Sequence, residues 1–233
     1  MLHIFTLCYG KKYSLDNVNS LYKSIKQWYN KPFTFYCYTD KKERVAKGIK
    51  KIKLNRELHP EMREAWYKVD FFKKDFVKYK KGDTCIVMDV DQEIVNDPTP
   101  LLDMKVPKGG IGSLEKWWTL YPTCQLDGGF YKWHANENIQ VYDTFYEDPM
   151  KWMTKYFDEG LITVPYFGEQ NFVSEMTTKH TTAAPHLAAR WNKENHLEIN
   201  YAYYDATQGD FLKLGPEDWS DQVVLIHYSK FIG

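Results

Sequence analysis

The chain has 233 residues, enough to bury a sizeable core within one domain. Lysine plus arginine equals aspartate plus glutamate, 31 of each, so there is no overall basic field of the kind that holds nucleic acid or an anionic membrane. No stretch approaches the roughly twenty apolar residues of a membrane span, and Met1-Leu2-His3-Ile4-Phe5-Thr6-Leu7-Cys8 lacks the basic start and the apolar length of a secretion signal. Cys8, Cys37, Cys85 and Cys124 show no Cys-x-x-Cys or Cys/His metal spacing, and three of them lie in apolar runs. Buried, reduced thiols in a soluble, cytoplasmic protein are therefore expected. Eighteen Tyr, thirteen Phe and eight Trp supply rings for the core, and Tyr and Trp also suit pockets that stack on sugars or bases.

The apolar run 2–8 predicts a buried first strand that ends in the turn Tyr9-Gly10-Lys11-Lys12. Ser14 is placed to cap a helix over 15–29, where Leu15, Val18, Leu21, Tyr22, Ile25 and Trp28 recur at helical spacing. Pro32 closes that connection. A second strand is expected over 33–38, stopping at Thr39-Asp40, and a weaker third over 49–54. Trp66, Val69, Phe72, Phe76 and Tyr79 line one stripe of a long helix expected over 62–79, and Gly82-Asp83 turns the chain into a strand over 84–90. The second half is less regular. Strands are expected over 111–118 and 125–133, and a helix over 139–156 with a break near Asp148-Pro149. A short helix opens at Gly168-Glu169-Gln170-Asn171, and a last apolar strand over 223–228 contains His227. Strands alternating with helices over the first ninety residues predict an α/β unit with a largely parallel sheet. No repeat or linker divides the chain, so a single domain over 1–233 is expected.

The segment Met88-Asp89-Val90-Asp91-Gln92 closes the apolar run Cys85-Ile86-Val87. In an extended chain Asp89 and Asp91 share a face, roughly 6–7 Å apart. Two carboxylates at the carboxyl end of a parallel strand, where such sheets bind ligands, can share a divalent metal and through it a diphosphate. Strand ends also attract Asp for turn formation alone.

These segments, in their order, resemble GT-A-fold glycosyltransferases, especially family 8 (glycogenin and the lipopolysaccharide galactosyltransferases) and related small bacterial and viral enzymes. The resemblance is carried by the first strand with its tyrosine-bearing loop, Trp66-Tyr67-Lys68-Val69, Met88-Asp89-Val90-Asp91, Asp127-Gly128-Gly129-Phe130 with Trp133, Gly168-Glu169-Gln170-Asn171 and Ile226-His227-Tyr228. It implies a mixed, mostly parallel, Rossmann-like sheet flanked by helices. The implied activity is metal-dependent transfer of a hexose-like sugar, with retention, from a UDP- or GDP-sugar to a glycan, protein or small-molecule hydroxyl.

By the same resemblance Asp89, Asp91 and His227 are metal ligands for Mn²⁺ or Mg²⁺. Tyr9, Tyr13, Asp40, Lys68 and Asp89 meet the donor. Asp127, Glu169 and Gln170 lie beside the transferred sugar. The family's closing lysine lies farther beyond its histidine, so Lys230 is the candidate for the phosphate contact here. Trp117-Trp118 is a candidate acceptor platform. Two other readings of the acidic pair stay open: a haloacid-dehalogenase-like phosphatase with an aspartate nucleophile, and a non-catalytic carbohydrate-binding module of the same fold.

Overall fold

The N-terminal apolar run forms β1 (Leu2–Leu7) in the computed structural model, which describes residues 1–115, 124, 126–183, 187–192, 197–200, 204–205, 210–211 and 223–228. β1 pairs in parallel with β2 (Phe33–Thr39), and β2 with β3 (Ile49–Lys53). On its other side β1 pairs in parallel with β4 (Thr84–Met88). Side chains alternate between two faces along these strands. Ile4, Phe35, Ile86 and Met88 enter one apolar layer, whereas Phe5, Tyr36, Cys85 and Val87 enter the other. Both faces are covered, as a parallel sheet requires.

The first layer is closed by α1 (Leu15–Trp28), whose Leu15, Val18, Leu21 and Ile25 are buried. Ser14 caps this helix as expected, in a reciprocal box with Asn17. The second layer is closed by residues 64–72 and by the helices of the second half. The continuous helix expected over 62–79 does not form. Glu64–Phe72 is instead a 3₁₀ helix, and residues 73–80 are turns and irregular chain. Trp66, Val69 and Phe72 recur every third residue, the period of a 3₁₀ helix, in which i and i+3 eclipse. Positive φ angles at Glu64 (43°) and Asp75 (53°) interrupt α-helical geometry on either side. The result is a tight aromatic ridge in which Trp66, Tyr67, Lys68, Val69, Asp70, Phe71 and Phe72 are all buried.

A second correction concerns the acidic pair. β4 ends at Met88, and the Gln92 amide donates to the Asp89 carbonyl at 3.2 Å, so Asp89 and Asp91 lie in a turn and not on an extended strand. The chain then enters β5 (Gln92–Ile94), which belongs to another sheet. After the short α2 (Thr99–Leu102) come β6 (Ile111–Glu115) and β7 (Leu126–His134); residues 116–118 of the expected strand, Trp117 and Trp118 among them, lie outside the described residues. β7 runs antiparallel to both β4 and β6, and β6 is parallel to β8 (His180–Ala183). The described sheet thus has seven strands in the order β3-β2-β1-β4-β7-β6-β8, mixed and mostly parallel.

The expected break at Asp148-Pro149 separates α3 (Gln140–Glu147) from α4 (Pro149–Asp158); Asp148 caps the second helix and Pro149 opens it. α5 (Glu169–Met176) follows Gly168. A four-stranded sheet is built from β9 (Ala188–Asn192), β10 (Leu197–Asn200), β13 (Leu225–Tyr228) and β5, and a small ladder joins β11 (Tyr204–Asp205) to β12 (Asp210–Phe211). β13 pairs antiparallel with β5, which sets His227 opposite Gln92. All four cysteines are buried. Among the described residues no helix is long and apolar enough to cross a membrane.

Candidate active site

The site forms where the two sheets meet, at the carboxyl end of β4. The Asp89 amide donates to the Gly129 carbonyl at 3.0 Å, tying the acidic turn to β7. The Tyr228 amide donates to the Asp91 carbonyl at 2.8 Å, tying the same turn to β13. These two backbone bonds bring His227 to the aspartates. Its Nε2 lies 3.3 Å from Asp91 Oδ1 and 4.0 Å from Asp89 Oδ2. Ligand atoms of Asp89, Asp91 and His227 all fall within 4.8 Å of one another. Two carboxylates and an imidazole form a mixed oxygen and nitrogen set that could hold a divalent metal ion.

Each aspartate has a second partner. The Tyr13 hydroxyl donates to Asp91 Oδ2 at 2.5 Å. Burial alone would raise the Asp91 carboxyl, but the His227 ring and the Tyr13 hydroxyl outweigh it and hold the group far below the ordinary carboxylate range. The Lys68 ammonium lies 2.5 Å from Asp89 Oδ1 and donates to the Gly128 carbonyl at 2.6 Å. Burial opposes the charge of Lys68; the neighbouring acidic groups, Asp89 foremost, more than restore it, so its pKa lies above the ordinary value. On a ridge whose neighbouring Lys73 and Lys74 are exposed, Lys68 is the lysine turned inward.

Behind Lys68, β7 and α5 bring together the remaining acidic groups. The Asp127 carboxylate accepts from the Gly129 amide at 2.6 Å, and the Asp127 amide donates to Ser113 Oγ at 2.9 Å. Gln170 Oε1 accepts from the Gly128 amide at 3.1 Å. Gly128 permits this approach, because a Cβ there would meet Gln170 Oε1 at 3.0 Å and Glu169 Oε2 at 3.2 Å. Glu169 is buried, and desolvation pushes its carboxyl up to about 8 despite the opposing pull of Lys68. A carboxyl of that kind is mostly protonated at neutral pH and can donate a hydrogen bond.

The expected tyrosine loop lies over the same end of the sheet. Gly10, at φ +64°, turns the loop so that its amide faces the Asp40 carboxylate at 3.3 Å. Arg56 approaches Asp40 at 3.4 Å and lies 5.3 Å from the Tyr9 ring centroid. The Tyr9 hydroxyl donates to the Glu64 carbonyl at 2.5 Å, and its ring meets Tyr67 edge to face at 5.1 Å. Asp40 therefore organises the loop. Of the residues singled out from sequence, Tyr13, Lys68, Asp89, Asp91, Asp127, Glu169, Gln170 and His227 converge. Tyr9 and Asp40 form a neighbouring group with Arg56, and Lys230 lies outside the described residues.

Sequence reasoning missed two features of this cluster. One is the Tyr13 hydroxyl's direct bond to Asp91. The other is Gln92, whose buried amide sits beside Asp127 and His227. A buried glutamine directly after an acidic pair is the signal that would have found it.

The strand order, the acidic turn after β4 and the antiparallel β7 beside it define the GT-A fold. Two solved structures share it with this chain. One is the galactosyltransferase LgtC in complex with donor and acceptor sugar analogues, matched at a TM-score of 0.58 over 98% of this chain and 87% of that one, with 11% identity. The other is an active-site variant of LgtC, at a TM-score of 0.59 with the same coverages and identity. No protein-family model and no curated protein sequence matches the chain.

Proposed function

We propose that this chain is a metal-dependent glycosyltransferase that moves a sugar from a nucleotide-sugar donor to an acceptor hydroxyl. The observation that carries this reading is the convergence of Asp89, Asp91 and His227 within 4.8 Å, with the buried Lys68 cation 2.5 Å from Asp89. That set is suited to a diphosphate. A divalent ion held by Asp89, Asp91 and His227 supplies charge neutralisation for the departing nucleoside diphosphate. Lys68 adds a fixed, water-excluded positive charge on the same side, the kind of pre-organised electrostatics that stabilises developing negative charge. The likeness to a galactosyltransferase held with donor and acceptor sugar analogues agrees with a nucleotide-sugar donor and a glycan acceptor.

Asp127, Glu169 and Gln170 then lie where the transferred sugar would sit, and their polar atoms are suited to its hydroxyls. Glu169, lifted to about 8, holds a proton at neutral pH and can donate a hydrogen bond to a sugar hydroxyl. The resemblance to family 8 favours transfer with retention, in which the leaving phosphate accepts the proton of the acceptor hydroxyl. Tyr9 and Tyr13 belong to the loop beside the nucleotide, and Asp40, just after β2, holds that loop through the Gly10 amide. The phosphatase reading is disfavoured by the strand order, which the chain shares with the galactosyltransferase LgtC.

The test is donor turnover by the purified chain across UDP- and GDP-sugars, with and without Mn²⁺, beside a thermal-shift screen of the nucleoside diphosphates. The expected result is metal-stimulated release of one nucleoside diphosphate, with unfolding raised by that nucleotide only when Mn²⁺ is present. Undiminished turnover in Asp91→Asn, or turnover indifferent to chelation, would overturn the metal role.

A further inference from the structure

Gln92 is a buried polar side chain with no role in the reading above. It is 3% exposed, and neither Nε2 nor Oε1 has a hydrogen-bond partner among the described residues. Leaving a buried polar group unpaired is costly to a fold. Its strand neighbour Ile94, two residues on, packs in the apolar layer, so an aliphatic residue at 92 would serve packing better.

The surroundings give a reason for an amide. A Cβ built on Gly129 would lie 2.7 Å from Gln92 Nε2, 3.1 Å from Asp127 Oδ1 and 3.1 Å from His227 Cε1. Three polar side chains from three strands thus share the space left by the missing side chain of one glycine. The three are an amide, a carboxylate and the edge of an imidazole. An amide offers N–H donors and a carbonyl acceptor together, the complement of a carboxylate on one side and a polar ring edge on the other. The register of β5 against β13 holds Gln92 opposite His227, so the neighbourhood is fixed by backbone pairing.

We infer that Gln92 is a positioning residue for the Asp89/Asp91/His227 site. Its amide packs beside Asp127 and the Cε1 edge of the His227 ring, opposite His227 in the strand register, and so restricts rotation of that ring. The inference rests on the metal-site reading proposed above. A histidine that offers Nε2 to a metal must be neutral and must hold one ring orientation, and outer partners of ligating histidines supply that restraint. A histidine free to rotate beside two carboxylates would otherwise lose affinity. Gly129 is part of the device, since any side chain there would push the three groups apart.

The experiment is a titration of the full chain with Mn²⁺ in the presence of UDP, read by the electron paramagnetic resonance of free Mn²⁺. Thermal unfolding without metal is measured in parallel. The variants are Gln92→Leu, Gln92→Met and Asp91→Asn. Loss of an outer partner typically weakens metal binding about 10–100-fold, and that fall is expected for both Gln92 variants. Their unfolding temperature without metal should equal or exceed that of the wild type, because each removes a buried amide without emptying the space.

Wild-type Mn²⁺ affinity in both Gln92 variants, with binding abolished in Asp91→Asn, would overturn the role of Gln92 and leave the metal site standing. Lowered unfolding temperature in both variants without metal would assign Gln92 to structure alone and also overturn the inference. Absence of Mn²⁺ binding by the wild type would overturn the metal reading and this inference with it.

Discussion

Strand β4 has a histidine–aspartate pair at each end, and the two pairs are built on different terms. At its start, Asp83 accepts from the Lys80 amide at 2.8 Å, faces His3 Nε2 at 2.9 Å and meets the Met1 amino group at 3.0 Å. His3 in turn lies 3.2 Å from the Tyr36 hydroxyl. One carboxylate there meets three partners supplied by its own surroundings. Such a pair is a fastener: it ties the start of β1 to the loop before β4. At the other end, Asp89, Asp91, Asp127 and Glu169 gather around Lys68 and His227. Acidic groups outnumber cations, one carboxyl has its pKa lifted, and a buried amide is left over. A fold does not assemble such an excess for its own stability. Saturation marks the structural end of the strand, and surplus negative charge marks the end suited to a cationic or metal-bound ligand.

Substitutions at the two ends sharpen this contrast, and the largest effect is expected at Lys68. Lys68→Met removes the cation from a buried cluster and leaves its carboxylates uncompensated, a change that typically destabilises by about 3–5 kcal/mol. Chemical denaturation should show it, and a variant as stable as the wild type would mean that the carboxylates are screened by other means. Asp91→Asn should lower metal-stimulated donor turnover by about 10²-fold or more, with the circular dichroism spectrum unchanged. Unaltered turnover would reduce the cluster to a second fastener.

Asp83→Asn should leave turnover unchanged and act on acid stability instead. Burial opposes ionisation of Asp83, but the Lys80 amide and His3 hydrogen bonds outweigh it, along with the Met1 amino group, and bring the pKa down to about 2. A depressed carboxyl contributes stability that is fully present above its unfolded value of about 3.9 and disappears as pH falls through its folded value. The wild type should therefore lose stability between about pH 4 and pH 2 more steeply than Asp83→Asn, as read by denaturant midpoints across that range. Equal slopes would remove Asp83 from the account. The smallest effect is expected at Ser14→Ala, which removes the α1 cap and should cost about 1 kcal/mol with no change in turnover.

The two ends of β4 also differ in how far they could be read from sequence. Asp89 and Asp91 were visible as a motif, and Lys68, Asp127, Glu169, Gln170 and His227 through the order of segments around it. Asp83 read only as part of a turn, and His3 had no spacing to commend it, because their partnership spans eighty residues with no local pattern. Tyr13 was assigned to a loop near the nucleotide, yet its hydroxyl reaches Asp91 across 78 residues. The ridge at 64–72 was read with the wrong helical period: the three-residue recurrence was present, and a longer stripe through Phe76 and Tyr79 masked it.

Local patterning determined what local forces control. Continuous apolar runs set the strands β1, β2 and β4, Ser14 and Asn17 set the start of α1, and Pro149 set the break between α3 and α4. Each depends on contacts within a few residues or on the apolar content of a short run. Tertiary structure alone decided the rest. The acidic pair converges because a turn, not a strand, holds it, and because Gly129 and Tyr228 bond to its backbone from β7 and β13. The ionisation of Lys68 and Glu169 is likewise a property of burial and of one another. Such quantities are sums over groups distant in sequence, and no short motif contains them.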